Sequence, residues 1–328
     1  MSKLALFGGE KTIKKPFKAY SSIGQREKQL VAQVMDKGCI SAFYGSWNDQ
    51  FLGGEYVKRF EEEIKKCWQC KYAVTVNSNT SGLDISLAAI GVSPGDEIIV
   101  SPWTMSATAI APLRWGAIPK FVDIEKETFA LDPQKVIEAI TTKTKAIFVT
   151  NIFGQVPYLH QLKQIAETHN LYLLEDNAQA PMAHEFGKYC GTIGDIGILS
   201  FNYHKHIHTG EGGCCLTNDP VLAQRLQMLR NHAEAVVEDA KIQDITNLIG
   251  GNYRMTELQA AIGIAQLENI DKHIDKRIEI AEFLSEITKD LNGIKPPILR
   301  KNCKNVYYCW GAIIDENKLG VSRDIFSQ

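Results

Sequence analysis

Six short segments of the chain are apolar at nearly every position: Tyr72 to Val76, Glu97 to Val100, Pro119 to Val122, Ala146 to Thr150, Leu171 to Leu174 and Ile196 to Phe201. A strand with one wet face would alternate polar and apolar residues, so continuous runs predict parallel strands buried on both faces. Between them the apolar residues take a helical period. Leu83, Leu87 and Ile90 stand at i, i+4 and i+7 behind a polar Asn79-Thr80-Ser81 start, and Leu159, Leu162 and Ile165-Ala166 precede Leu171 in the same way. This alternation predicts an α/β fold, a three-layer α/β/α domain around a mainly parallel sheet.

After about Pro220 the pattern changes. Pro220 to Arg230 reads as a helix, and a stripe of Leu258, Ile262, Ala265, Ile270, Ile274, Ile278 and Ala281 predicts one long helix from Met255 to about Ile287. Asn292-Gly293 and Pro296-Pro297 end it and open a β-rich piece with a strand at Asn305 to Trp310. A chain of 328 residues suggests about two domains. The expected division is a large domain over 1–250, with an N-terminal arm, and a linking helix plus small α+β domain over 251–328. The chain stops just after a helix start at Ser322-Arg323-Asp324, so this small domain is expected to be incomplete.

Composition removes several functions. Hydrophobic residues make up 45% and charged residues 23%, an ordinary soluble profile with enough apolar surface for a large core. The net charge of −2 and the lack of a basic run argue against nucleic acid or an anionic membrane surface as partner. No apolar stretch approaches a membrane span, and Met1 to Gly9 has too brief an apolar run for a secretory signal. A cytoplasmic protein is expected. Among eight cysteines, Cys39, Cys190, Cys303, Cys309 and the Cys214-Cys215 pair read as buried free thiols. Cys67-Trp68-Gln69-Cys70 is a lone CxxC at a helix end, with a redox pair as the sharper alternative.

Four clusters carry candidate chemistry. Asn77-Ser78-Asn79-Thr80-Ser81-Gly82 joins an apolar strand to a helix, where free N–H groups and the macrodipole favour an anion; an ordinary N-cap turn is the plainer alternative. Glu175-Asp176-Asn177-Ala178-Gln179-Ala180 puts acids at the carboxyl end of a strand, where open α/β sheets bind ligands. A buried Asp176 there needs a cationic partner, such as a protonated ring nitrogen; a solvated turn capping the next helix fits as well. In the segment from Ser200-Phe201 through His204-Lys205-His206 to Gly210-Glu211-Gly212-Gly213, Lys205 is placed to lose its proton by desolvation and act as a Schiff-base amine. Alternating His204, His206 and His208 raise a metal reading, with no carboxylate or cysteine set to complete the site. The fourth cluster, Gly250 to Met255, is by itself only a loop and a helix start.

Taken together, the clusters resemble the DegT–StrS family of pyridoxal-phosphate-dependent sugar aminotransferases, of fold type I (aspartate aminotransferase-like), over essentially the whole chain. Glu175 to Ala180 resembles the family's E-D-x-A-Q-A, Ser200 to Gly213 its S-F-x-x-x-K-x-x-x-x-G-E-G-G, and Gly251-Asn252-Tyr253-Arg254-Met255 its G-x-N-Y-R-M. The resemblance implies pyridoxal 5'-phosphate as cofactor, a Schiff base on Lys205, and Asp176 on the pyridinium nitrogen. It implies Gln179 near the ring's 3-hydroxyl, Thr80, Ser81 and Ser200 on the phosphate, and Asn252 reaching that phosphate from the second subunit of a homodimer. Where relatives carry an aromatic residue against the ring, this chain has Met105, with Trp103 two residues away. No metal is expected.

The implied reaction moves an amino group from glutamate or glutamine to a keto-sugar, most naturally a nucleotide-linked one. Leu4 to Glu10 also resembles relatives that act on keto-inositols or make aminohydroxybenzoate. Relatives with His in place of the lysine are dehydratases, and Lys205 stands in that register here. A non-catalytic, cofactor-binding regulator is the remaining alternative.

Overall fold

The computed structural model describes residues 5–17 and 20–327; Leu4 of the opening motif lies outside them. Helices α1 (Gln25–Lys37) and α2 (Glu55–Trp68) precede strand β1 (Tyr72–Val76). Then come α3 (Asn79–Ala89), β2 (Glu97–Val100), α4 (Ser106–Arg114), β3 (Ile118–Phe121), α5 (Pro133–Ala139), β4 (Thr144–Thr150), α6 (Leu159–Thr168) and β5 (Tyr172–Asp176). A small hairpin, β6 (His184–Glu185) and β7 (Lys188–Tyr189), leads into β8 (Ile196–Ser200), β9 (Gly213–Thr217) and α7 (Pro220–Arg230).

One seven-stranded sheet runs in the order β1-β9-β8-β5-β4-β2-β3. The pairs from β8 to β3 are parallel, while β9 runs antiparallel to both β8 and β1. Both faces are covered, which is why the strands read as unbroken apolar runs. Ile147, Val149 and Leu173 point into a core shared with Phe60, Ile64 and Trp68 of α2. Ala146, Phe148 and Leu174 point the other way, against Leu83 and Leu87 of α3 and Leu226 and Leu229 of α7. No helix among the described residues is long and apolar enough to cross a membrane.

The C-terminal part comprises α8 (Glu257–Leu267), α9 (Ile270–Thr288), the two-residue strands β10 (Ile294–Lys295), β11 (Cys303–Lys304) and β12 (Ile313–Ile314), and the short α10 (Glu316–Leu319) and α11 (Arg323–Phe326). Three expectations change here. The long helix is two helices, because Asn269 leaves helical geometry at φ −120° while buried Leu267 and Ile270 keep the apolar stripe continuous across the break. Helix α8 packs into the core beside α1 and α2, through Ala260, Ala261 and Ile264. Asn305 to Trp310 is not a strand: Tyr307 sits at φ +47°, and the amides of Val306 and Cys309 bond to the carbonyls of Gly154 and Phe153. Strand β9, hidden in the Cys214-Cys215 run, is fully buried.

Candidate active site

The carboxyl ends of β1, β5 and β8 open on one side of the sheet, and the loops that leave them enclose a cavity of about 270 Å³. Thr80, Met105, Gln179, Ser200, Lys205 and Tyr308 are among its walls. Beneath it lies Asp176, the last residue of β5 and 4% exposed. Asp176 Oδ2 accepts from Thr108 Oγ1 at 2.6 Å, and Oδ1 from the Ala178 amide at 3.2 Å and Asn79 Nδ2 at 3.5 Å. Burial pushes the carboxyl's pKa up, opposed first by the Thr108 hydrogen bond, then by the Ala178 amide and the Lys205 charge. With one donor on Oδ2 and two longer ones on Oδ1, the carboxylate keeps an acceptor site on Oδ2 for a cation.

Lys205 is held by a turn, its amide donating to the Asn202 carbonyl at 2.9 Å. Its Nζ lies 4.3 Å from the centre of the Tyr308 ring and has no hydrogen-bond partner among the described residues. Burial lowers its pKa, with Asp176 pulling the other way. The amine is thereby nearer to a nucleophile than an exposed lysine would be.

At the opposite wall, α3 begins. Ser78 caps it by accepting from the Ser81 amide, leaving the Asn79 and Thr80 amides free at the helix N-terminus. Gly213 allows this turn to sit on β9, since a Cβ there would stand 2.7 Å from the Asn79 nitrogen. Gln179 Oε1 accepts from the Phe153 amide at 2.7 Å, which fixes the side chain and leaves its N–H groups for a ligand.

Thr80, Met105, Gln179, Ser200 and Lys205 therefore line one cavity above Asp176. Ser81 does not, and Asn252, expected to reach the site of a second subunit, is not at the cavity of its own chain. The Ser81 hydroxyl turns away and donates to Asn77 Oδ1 at 2.6 Å; Ser78 stands at the cavity wall instead. Asn252 lies outside, bridged to Asn231 and accepting from Arg254 Nε at 2.8 Å. Sequence reading missed Thr108 and Tyr308. Thr108 sits four residues after Thr104, across the start of α4, a spacing that aims two hydroxyls the same way. Tyr308 arrives from a segment whose backbone reverses at Tyr307, and no periodicity signals it.

The histidines do not converge. His206 is buried, its Nε2 2.8 Å from the Val306 carbonyl, and burial drives its pKa down to about 3. His204 lies at the cavity wall, and His208 Nδ1 accepts from the Gly210 amide. No group of three metal-ligating side chains is found among the described residues. The cysteines are free thiols, and Cys39 and Cys309 are exposed rather than buried. Cys70 is buried, which pushes its thiol up to about 11, a poor nucleophile. A larger cleft of about 930 Å³ lies between residues 20–27 and α9, but its charges largely pair off, Arg26 with Glu268 and Lys276 with Glu279.

The model of the DegT/DnrJ/EryC1/StrS aminotransferase family matches residues 27–327. A GDP-perosamine synthase of Escherichia coli O157:H7 is 36% identical over 289 residues, 88% of this chain and 74% of that protein. Among solved structures, DesI in the presence of its TDP-sugar product superposes with a TM-score of 0.84 at 29% identity, covering 98% of this chain and 78% of that one. An E. coli GDP-4-keto-6-deoxy-D-mannose-3-dehydratase with bound hydrated PLP gives a TM-score of 0.81 at 28% identity, covering 94% and 80%.

Proposed function

Because this chain belongs to the DegT/DnrJ/EryC1/StrS aminotransferase family, we propose that it binds pyridoxal phosphate between Lys205 and Asp176 and transfers an amino group from glutamate or glutamine to a nucleotide-linked keto-sugar. The reading rests above all on one observation: Lys205, whose amine has no hydrogen-bond partner among the described residues, lines a cavity beneath which Asp176 lies buried. The residues present fit the cofactor. Asp176 supplies a carboxylate for a ring N–H, and Gln179 supplies a fixed N–H for a phenolic oxygen. The free amides of Asn79 and Thr80, with the hydroxyls of Thr80 and Ser200, suit a phosphate. Ser78, which lines the cavity, is proposed to join them in the place expected for Ser81. Met105 is proposed to cover the ring, and Asn252, outside the cavity of its own chain, to complete the phosphate site of a second copy.

Bound there, pyridoxal phosphate supplies an electron sink for the pair released when a C–H bond beside the amino nitrogen breaks. Asp176 holds the proton on the ring nitrogen. Lys205, with no partner among the described residues besides the Tyr308 ring, would be free to attach to the cofactor and then to move the proton at the reacting carbon. A lysine at this position, rather than a histidine, favours transamination over dehydration. The names of the matched proteins, a GDP-perosamine synthase and a protein with a TDP-sugar product, support a nucleotide-linked sugar as acceptor.

The test is the visible absorption of the protein loaded with pyridoxal phosphate, before and after glutamate and, separately, glutamine. The proposal expects one donor to convert the spectrum to that of pyridoxamine phosphate. A spectrum unchanged by both donors would count against it.

A further inference from the structure

Three threonine hydroxyls form a line that ends on Asp176. Thr108 Oγ1 stands 2.6 Å from Asp176 Oδ2, Thr104 Oγ1 lies 3.1 Å from Thr108 Oγ1, and Thr150 Oγ1 lies 3.0 Å from Thr104 Oγ1. They come from three places in the fold. Thr150 ends β4 directly opposite Asp176 in the ladder, Thr104 lies in the loop after β2, and Thr108 is in the first turn of α4. Thr108 and Thr150 are buried, and none of the three lines the cavity. Whatever they do for a ligand, they do through Asp176.

Each hydroxyl has one hydrogen, and an ionised carboxylate only accepts. Thr108 must therefore donate to Asp176. With its hydrogen so used, Thr108 accepts from Thr104, and Thr104 accepts from Thr150. One negative charge fixes the direction of the whole chain, and successive hydrogen bonds of one direction polarise and strengthen each other. If Asp176 were protonated, the direction would no longer be set.

We propose that the Thr150–Thr104–Thr108 chain is a positioning device for Asp176, holding it ionised and fixing Oδ2 while the remaining lone pairs serve a cation in the cavity. The inference rests on the reading of Asp176 as the partner of a protonated ring nitrogen. Burial favours the neutral acid, and the Thr108 hydrogen bond is the largest influence against it. The donors on Oδ1 are longer and do not replace it.

The test compares Thr108→Val, Thr108→Ser and Asp176→Asn in the protein loaded with pyridoxal phosphate. Val has the shape of Thr without the hydroxyl, and Ser keeps the hydroxyl. The readouts are kcat, KM for the amino donor, the dissociation constant of pyridoxal phosphate, and the melting temperature of the cofactor-free protein. Losing one hydrogen bond to a charged group should lower kcat by about 10- to 100-fold and weaken cofactor binding by about tenfold in Thr108→Val, with KM within about threefold. Thr108→Ser should restore both to within about threefold, and Thr104→Val should fall between, at about two- to fivefold. Added to Asp176→Asn, Thr108→Val should cost almost nothing further, since both act on one group. A Thr108→Val enzyme within about twofold of wild type beside an impaired Asp176→Asn would overturn the chain but not the site. Equal impairment of Thr108→Ser and Thr108→Val would assign the effect to packing, which also overturns it. An unimpaired Asp176→Asn would remove the reading of Asp176, and this inference with it.

Discussion

Two neighbouring pairs of residues divide the work of fold and site between them. At the end of β5, Glu175 and Asp176 are both buried, yet they face opposite ways. Glu175 accepts from the amides of Gly191, Ile193 and Gly194 at 2.7, 3.0 and 2.7 Å and from Asn151 Nδ2 at 3.2 Å, so its charge is satisfied within the fold. Asp176 has one strong donor, Thr108, and an open side beneath the cavity. In the loop after β8 the contrast recurs. Among the described residues Lys205 Nζ has no hydrogen-bond partner and lies against the Tyr308 ring, whereas buried His206 donates from Nε2 to the Val306 carbonyl, which only accepts and so fixes the tautomer, with Nδ1 left unpartnered. In each pair one member is tied into the fold by its hydrogen bonds, and the other is left beside the cavity for a ligand. Along strand β5 alternation makes this division easy, since adjacent side chains point apart.

The comparison is broken most sharply by exchanging charge for amide at each acid. Asp176→Asn should lower the transamination rate by about a thousandfold or more while leaving thermal unfolding nearly unchanged, because a neutral amide cannot keep a ring nitrogen protonated. Glu175→Gln should do the opposite. Placing an NH₂ group against N–H donors should destabilise the protein by about 3 kcal/mol in denaturant titration, with activity per folded molecule preserved within a fewfold. A stable, inactive Glu175→Gln protein would reverse the assignment.

The second pair is sharpened by pH. Burial lowers the folded-state pKa of His206 from 6.5 to about 3. The unfolded chain therefore takes up this proton first, and the stability contributed by the neutral ring is fully present above the unfolded value and lost as pH falls towards the folded one. His206→Gln, which keeps an N–H for Val306, should flatten this acid limb, by about 3 kcal/mol at about pH 4. Melting temperatures of both proteins across that range give the difference; superimposable curves would show that His206 does not govern the limb. The smallest effect is expected at Tyr308. Tyr308→Leu removes the ring over Lys205 and should slow transamination by about threefold, while Tyr308→Phe should not.

Much of this was legible in the sequence. The sheet and its flanking helices followed from apolar runs, since a strand buried on both faces cannot carry polar positions. Asp176, Lys205, Gln179, Thr80 and Ser200 could be proposed because they lie next to strand ends, where chain order and place in the fold coincide. What stayed hidden depends on contacts distant in sequence or on single backbone angles. Thr108 and Thr150 matter through their distance to Asp176, and Tyr308 comes from 103 positions beyond Lys205 by way of a reversal at Tyr307. The direction of the Ser81 hydroxyl was decided by competition: Ser78 and Ser81 could both have faced the cavity, and the Asn77 amide oxygen took the second. The break at Asn269 was masked because the apolar stripe continues across it.

The central claim is that Lys205 is the lysine that holds the cofactor. Borohydride reduction of the full-length protein incubated with pyridoxal phosphate, followed by peptide mass mapping, tests it directly. The account predicts one phosphopyridoxyl group, on Lys205 and absent from Lys205→Ala. Stable modification of a different lysine, or none at Lys205, would contradict it.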